Sequence, residues 1–386
     1  MWFGEKGYGG GLVTGVIRHL QIDEYETLMR FVERCFGASP GAFERMYPHI
    51  YEPSEAFCST AYVVECAGEI VSHVGLYPIE VVLHGVTVRI GGIGAVCTAS
   101  SARGEGHMTR LLYRVIEEMR EQGYPLSWLG GDRQRYNAFG WECVGADYEL
   151  TFSKRSLERL DVEAVELTAR FLEQVCDVVE RLQPLQVCHA VRSNLGQQLL
   201  AEGRRAWTAQ DGYALLKDGW GQTSISELVS TSGREMGMIR SLLDWTDRDE
   251  LTWRLPASDY ERLARLMPGA AGWRLGDWQM YRIVDLVQLL ELFLPLLSSR
   301  AKWLRDGALS IGIREHDRTD TATLIVQDGV VEVVPGRSAD RYVEWSPVEA
   351  ARVLLGGPAV PDASEYHGML ATLFPLPVFV PGLDHV

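Results

Sequence analysis

The sequence predicts an α/β (α+β) protein built on a mixed, mainly antiparallel sheet, with two further α/β units behind it. Three observations carry this expectation. Strand-like runs follow one another with only short turns between them at residues 61–98. A glycine-bearing loop then opens an amphipathic helix at His107. The pattern restarts after Ser153 and again after residue 276. Consecutive hairpins before the loop differ from the βαβ repeat of a dinucleotide-binding sheet.

In chain order, residues 16–20 (VIRHL) read as a strand. Residues 23–36 (DEYETLMRFVERCF) place Leu28, Phe31, Val32 and Cys35 on one helical stripe, with Asp23 near the start. AYVVEC turns through Ala67-Gly68-Glu69 into IVSHVGLYPIEVVL, and His84-Gly85 turns that run into VTVRIGGIGAVCT. A helix over His107–Glu121, a strand at Leu126–Leu129, a helical turn near Tyr136 and a strand over Ala146–Phe152 complete a β-α-β-β-β-α-β-α-β order. The second unit reads as a helix over Leu167–Leu182, strands at Arg205–Thr208 and Tyr213–Lys217, and a helix over Gly233–Leu243. After residue 276 one apolar helix spans Ile283–Leu297. Strands follow at Leu309–Ile313, Thr321–Val326 and Val330–Val334, then a helix at Pro347–Leu355 and a proline-spaced tail. These patterns set domains at 1–152, 153–275 and 276–386, as a chain too long for one ordinary core requires.

The 386 residues carry a formal net charge of −15, spread along the chain. Such a surface repels phosphate backbones and attracts cationic amines, so nucleic acid is not an expected partner. Seven cysteines without a CxxC pair read as buried thiols, and nine histidines without HExxH-like spacing signal no metal site. The opening MWFGEKGYGGG lacks the apolar core of a signal peptide. Ile283 to Leu297 is interrupted by Asp285, Gln288, Glu291 and Pro295, too polar a run for a membrane span. The cytoplasm is the expected location.

The sharpest local feature is Val96-Cys97-Thr98-Ala99-Ser100-Ser101-Ala102-Arg103-Gly104-Glu105-Gly106-His107-Met108. A strand ends, two glycines turn the chain, and a helix with Leu111, Leu112, Val115, Ile116 and Met119 on one face begins. Backbone N–H groups and the positive end of the helix dipole then converge on one spot, which suits a diphosphate. Gly104 and Gly106 admit unusual φ values, and Arg103 adds a positive charge. No GK[ST] follows, which excludes a Walker loop.

Arg103-Gly104-Glu105-Gly106 resembles the R/Q-x-x-G-x-G/A loop of the GNAT superfamily of acyl-CoA transferases. Tyr136-Asn137-Ala138-Phe139-Gly140-Trp141 resembles that superfamily's Y-x-x-x-G-[aromatic] segment, and the element order is similar too. The whole chain resembles the Eis-like (enhanced intracellular survival) acetyltransferases. It has a GNAT domain, a degenerate GNAT-like unit and a C-terminal α/β domain like sterol carrier proteins. LSIGIREHDRTDTATLIVQDGVVEVVPG, the helix ending LLGG and LFPLPVFVPGLDHV carry the C-terminal part of the likeness. The chain departs from the family where paired arginines commonly precede the loop glycine, here Gly104 and Glu105, and where a small residue closes the loop, here Met108.

The resemblance implies an acetyl-CoA-dependent N-acetyltransferase acting by direct transfer on primary amines of a small polycation or a lysine side chain. It assigns acetyl-CoA to Val96, Cys97, Thr98, Arg103, Gly104, Glu105, Gly106, His107 and Met108, with Val96, Cys97 and Thr98 on the splayed strand that pairs with pantetheine. It implies Tyr136 as general acid and the terminal carboxylate of Val386 as base, although relatives commonly end in an aromatic residue. A homo-oligomer, hexamer or dimer, is implied as well. His107 opens a helix and is not read as the base; Cys97 carries no sign of an activated nucleophile. Glu24, Glu26 and Asp384 are acids that an acceptor pocket would use. Arg133 and Arg135 flank the Tyr136 turn, and Trp245, Trp253, Trp273 and Trp278 read as core or interface anchors. The alternative reading is a non-catalytic CoA- or lipid-binding relative, with Ile283–Leu297 as a lipid-lining helix instead of a buried scaffold.

Overall fold

A computed structural model describes residues 15–219, 222–276, 279–357 and 367–386. The opening segment read for targeting and Trp278 lie outside the described residues.

The first sheet is built from β1 (Val16–His19), β2 (Ala61–Cys66), β3 (Glu69–Leu83), β4 (Val86–Thr98), β5 (Leu126–Gly130) and β6 (Glu142–Cys143). Strand Gln279–Ile283 joins it between β5 and β6, giving the order β1-β2-β3-β4-β5-(279–283)-β6, and Cys188–Ala190 adds to β3. Every pair is antiparallel except β4 with β5. The apolar stripe of α1 (Tyr25–Phe36) buries Leu28, Phe31 and Val32, and Gly37 ends that helix in the left-handed region at φ 66°. The stripe of α2 (His107–Glu121) buries Leu111, Leu112, Val115, Ile116 and Met119 on the opposite face of the sheet, against Val74, Leu76 and Ile93.

The strand expected to close the first unit, observed as Asp147–Ser153, belongs instead to a second, seven-stranded sheet. It is held there between Glu250–Pro256 and Gly272–Gly276. The second sheet repeats the plan of the first. Three antiparallel strands, 204–209, 212–219 and 222–230, precede helix Glu235–Thr246 and a short parallel pairing at Ser224–Ile225 with Thr252–Trp253. The loop before that helix clasps a carboxylate of its own. Asp211 accepts from Ser230 Oγ at 2.8 Å, from Arg234 Nη2 at 2.9 Å and from the Ser232 hydroxyl. Burial pushes this carboxyl up, but the hydrogen bonds from Ser232, Ser230 and Arg234 outweigh it and hold the group down at about 2.

Two further expectations are corrected. Residues 167–182 are not one helix: Thr168–Arg170 pairs as an edge strand with 206–208, a 3-10 turn follows, and the helix starts at Cys176. The apolar run Ile283–Leu297 begins as the end of a strand and continues as two helices, Leu286–Leu292 and Leu294–Ala301. Asp285 caps the first through Gln288 N, and Pro295 sits in the first turn of the second, where a missing N–H costs nothing. Of the four tryptophans noted above, Trp253 is core, whereas Trp245 and Trp273 are exposed.

The third sheet, ordered 330–335, 318–327, 307–315, 342–345, packs with those two helices on the back of the first sheet. One apolar core therefore runs from Ile79, Val88, Ile90 and Trp128 through Leu289, Phe293 and Leu297 to Leu309, Leu324 and Leu354. A buried ion pair crosses the same seam. Arg282 donates to Glu315 at 2.5 Å and to the Phe139 carbonyl, while Arg120 reaches Glu315 at 2.7 Å.

The tail then returns across all three units. Phe374, Leu376, Val378, Phe379, Val380 and Leu383 are buried, each a gain of about 2 kcal/mol from burial. Leu376 N donates to Leu354 O in the third unit (2.8 Å), and Val380 N donates to Gln279 Oε1 in the first sheet (3.1 Å). His385 stacks on Trp128 with ring centroids 4.8 Å apart. In the second unit Arg192 donates twice to Asp384, at 2.8 Å each, and again to Glu227 at 2.6 Å. Gln198 Nε2 reaches both Leu383 O (2.8 Å) and Asp384 Oδ1 (2.7 Å).

Two measurements check these ties. Glu315→Leu should lower stability in urea by about 3 kcal/mol, because it strands buried Arg282. Burial raises the Glu315 carboxyl, yet Arg282 and Arg120 leave it net lowered. Its contribution is thus complete above about pH 4.3 and is lost as pH falls through the depressed value, a loss the variant should no longer show. Asp384→Asn should cost about 2 kcal/mol and speed removal of His385 and Val386 by carboxypeptidase; an unchanged digestion rate would mean the clamp does not hold the tail.

Candidate active site

The site starts from a break in the first sheet. The β4–β5 ladder runs only from Ile90–Leu126 to Gly92–Trp128, so Ile93–Thr98 has no strand beside it on that flank. At the same place β4 carries a bulge: His73 faces Cys97 and Gly75 faces Gly94, leaving one extra residue, with Ala95 at φ 49°. His73 is fully buried and burial drives its imidazole down to about 4, so it is neutral and its Nδ1–H donates to Ala95 O at 2.9 Å. Ser72 Oγ donates to Cys97 O at 2.9 Å. The bulge is thus pinned from β3.

Beyond it lies a cleft of about 720 Å³ lined by Val96, Cys97, Thr98, Arg103, Gly104, Gly106, His107 and Met108 among others. Eight of the nine residues assigned to the cofactor by resemblance therefore share one cavity. Glu105 is the exception: its carboxylate turns to His107 Nε2 at 3.0 Å. Gly104 (φ 85°) and Gly106 (φ 79°) occupy the left-handed region, and Gly106 is the N-cap of α2, so the free N–H groups of that helix open on the cleft. Arg135 also lines it, which the sequence left undecided, while Arg133 is bound to Glu142 at 2.5 Å. Two positive-φ glycines, a helix N-terminus and two arginines fit a diphosphate-bearing ligand.

Tyr136 is buried on the short helix Arg133–Asn137, which Asp132 caps through Gln134 N at 2.9 Å. A side chain at position 131 would meet the Tyr136 ring, with a Cβ only 2.6 Å from Cε2, so Gly131 is what lets it lie flat. Burial raises the phenol, and the nearby charge of Arg135 lowers it by less, so Tyr136 stays protonated at neutral pH.

Val386 ends beside β4. A Cβ on Gly94 would stand 3.2 Å from the Val386 carboxyl carbon, and one on Gly92 would stand 2.7 Å from its Cγ2. The alternating glycines of GGIG clear the strand surface for the chain end, a role the sequence reading did not assign. Glycine inside a strand is the signal that would have found it. Val386 also lines a second cleft of about 500 Å³, with Glu52, Tyr77, Glu80, Arg192 and Asp384. Of the three acids proposed for an acceptor pocket, only Asp384 lies there, and it is engaged by Arg192. Glu24 is instead paired with Arg18 at 2.6 Å, and Glu26 does not line the cleft. His49 on this cleft is held neutral, pushed down to about 4 by burial. Among the described residues no group of His, Cys, Asp and Glu is placed to hold a metal ion.

Residues 16–144 match the family described as "Acetyltransferase (GNAT) domain". The fold of the whole chain is similar to that of a conserved protein from Enterococcus faecalis V583 described as a probable N-acyltransferase (TM-score 0.72, 18% identity, 97% of this chain and 97% of that one). It is similar to a GCN5-related N-acetyltransferase from Kribbella flavida (0.69, 19%, 94% and 98%) and to Eis1 from Mycobacterium abscessus (0.62, 16%, 93% and 96%). No curated protein is matched by the sequence. The family match takes in the splayed strand and its glycine loop, and the likeness of fold extends over nearly the full length: residues 16–144 match the GNAT acetyltransferase domain family, within a chain whose fold is similar to that of Eis1 and the two other structures.

Proposed function

We propose that this protein transfers the acetyl group of acetyl-CoA directly to a primary amine of a small polycation or a lysine side chain. The observation that carries the reading is the place of the Val386 carboxyl, against Gly94 on the strand that also lines the glycine-loop cleft, and on the wall of an acid-bearing second cleft.

In this reading the N–H groups of Gly106 and the first turn of α2, with Arg103 and Arg135, hold the pyrophosphate. The unpaired backbone past Gly92 holds the pantetheine arm. Bound acetyl-CoA supplies the thioester. Glu52 and Glu80 draw a cationic acceptor into the second cleft. The Val386 carboxylate takes a proton from the ammonium, freeing the nitrogen lone pair. The nitrogen then attacks the acetyl carbon and, as the carbon–sulfur bond breaks, the Tyr136 phenol gives its proton to the departing sulfur; the second proton shed by the nitrogen passes through solvent and restores the phenol. Main-chain N–H near Thr98 polarises the acetyl carbonyl.

Sheet membership supports the division at 1–152, 153–275 and 276–386, amended by the strand exchanges described above. The exposed edge strand Gly272–Gly276, with Trp273 and Leu275 outward, supports a homo-oligomer. Seven free cysteines support a reducing, cytoplasmic setting. No helix among the described residues is long and apolar enough to cross a membrane.

Tyr136→Phe should lower kcat by about 10²- to 10⁴-fold and leave acetyl-CoA affinity nearly unchanged; a near-parental kcat would reduce Tyr136 to a packing residue. Amidating Val386, or adding a short soluble extension after it, should suppress turnover while calorimetry still shows acetyl-CoA binding. An active protein with its extension verified intact would remove Val386 as base, and with Asp384 locked to Arg192 would leave a bound water for that role.

A further inference from the structure

Cys35 and Cys97 both line the glycine-loop cleft, and the proposed transfer reaction uses neither thiol. Cys35 stands at the C-terminal end of α1 and Cys97 on β4, and both sit in the core that joins that helix to the strand. Cys97 is buried and Cys35 half-buried, so one thiol of the pair is open to solutes in the cleft. The two thiols thus share one cleft wall and one apolar cluster. A hydrogen bond from Cys97, helped by Arg34 and Arg103 and opposed by burial, draws the Cys35 thiol down to about 7. The same contact, with burial, pushes Cys97 well up. An attacking thiol that titrates near the ambient pH is the most effective in disulfide exchange. Elsewhere Cys58, Cys176 and Cys188 are all pushed up by burial, Cys188 to about 12.

We propose that Cys35 and Cys97 are an oxidation site that reacts with small disulfides and closes into an intramolecular disulfide, shutting the cleft. The Cys35 thiolate attacks one sulfur of a disulfide RS–SR; a new S–S bond forms as the old one breaks, and RS⁻ leaves and takes up a proton. Cys97 then loses its proton and attacks the Cys35 sulfur of that mixed disulfide, expelling the second RS⁻. Two protein thiols are oxidised by two electrons, and one small disulfide is reduced to two thiols. The arginines that favour a thiolate at Cys35 also favour an anionic carrier of the disulfide, as both glutathione disulfide and CoA disulfide are. The closed bond ties α1 to β4 along the stretch whose backbone has no neighbouring strand. That cofactor binding suffers rests on the proposed acetyl-CoA site; the reactivity of the thiols does not.

Reduced protein is treated separately with glutathione disulfide and with CoA disulfide, alkylated, and mapped by peptide mass spectrometry. Acetyl-CoA affinity is measured by calorimetry before treatment, after it, and after dithiothreitol. The expected result is a Cys35–Cys97 linked peptide formed ahead of any change at Cys66 or Cys176. It should be accompanied by at least a roughly tenfold loss of affinity that the reductant reverses. Faster closure with CoA disulfide identifies the cofactor's own oxidised form as the reagent, and equal rates identify small disulfides in general. In Cys35→Ser, affinity should be the same before and after treatment. Cys35 recovered in its alkylated form, a mixed disulfide at Cys35 that never passes to Cys97, or a closed bond without change in affinity would each overturn the proposal. Failure of the reduced protein to bind acetyl-CoA would instead overturn the cofactor reading, and the peptide map would still decide the thiol pair.

Discussion

The loss of a neighbour along β4 after Gly92 is the constraint on which the site depends. A strand in mid-sheet has its backbone groups paired on both flanks, and unpaired buried groups are costly. Here the pairing stops while the strand continues for six residues, so the fold holds open a row of donors and acceptors together with the space beside them. The bulge at Ala95, pinned by neutral His73, keeps β3 and β4 in register past the break. The glycine turn then places the N-terminus of α2 at the far end of the same opening.

The middle unit carries the same plan with a different loop. It too has three antiparallel strands, a loop, a helix and a short parallel pairing. Its loop, however, is satisfied from within by Asp211, a fixed carboxylate where the first unit presents open N–H groups. What that unit supplies instead is Arg192, Gln198 and Glu227, the polar grip on the tail. Because Arg192 stands between two carboxylates, with little solvent nearby, removing either one changes the charge balance around the other.

How much of this was legible follows from the range of the interactions. The loop 96–108, the α1 and α2 stripes and the hairpins at Ala67-Gly68 and His84-Gly85 are set by neighbours a few residues apart, and they stand where the pattern puts them. The tail was partly legible, since seven large apolar side chains among three prolines are unlike a free end, and six of the seven are buried. Sheet membership was not: Asp147–Ser153 alternates equally well for either sheet, and only its partners at 250–256 and 272–276 decide. Arg192 gave no signal, because its meaning lies 192 residues away in Asp384. Pro295 was read as a break in an apolar run when it marks the start of a new helix. Cys35 was visible only as one apolar position of a stripe, and its place with Cys97 on one cleft wall needed the helix laid on the sheet.

Strand Gln279–Ile283 has a consequence for how the molecule assembles. It pairs with β5 and with β6, yet the whole middle sheet is threaded between β6 and this strand. Closing so long a loop is entropically slow, and the closure becomes affordable only when the intervening chain has compacted. The first sheet therefore gains its last strand only after the chain has passed through the whole middle sheet, although it comes first in the chain. A fragment cut to residues 16–144 would retain every residue of the glycine loop and still bare the edges of three strands, β3, β5 and β6, that later segments cover in the intact protein, an invitation to pair with other chains.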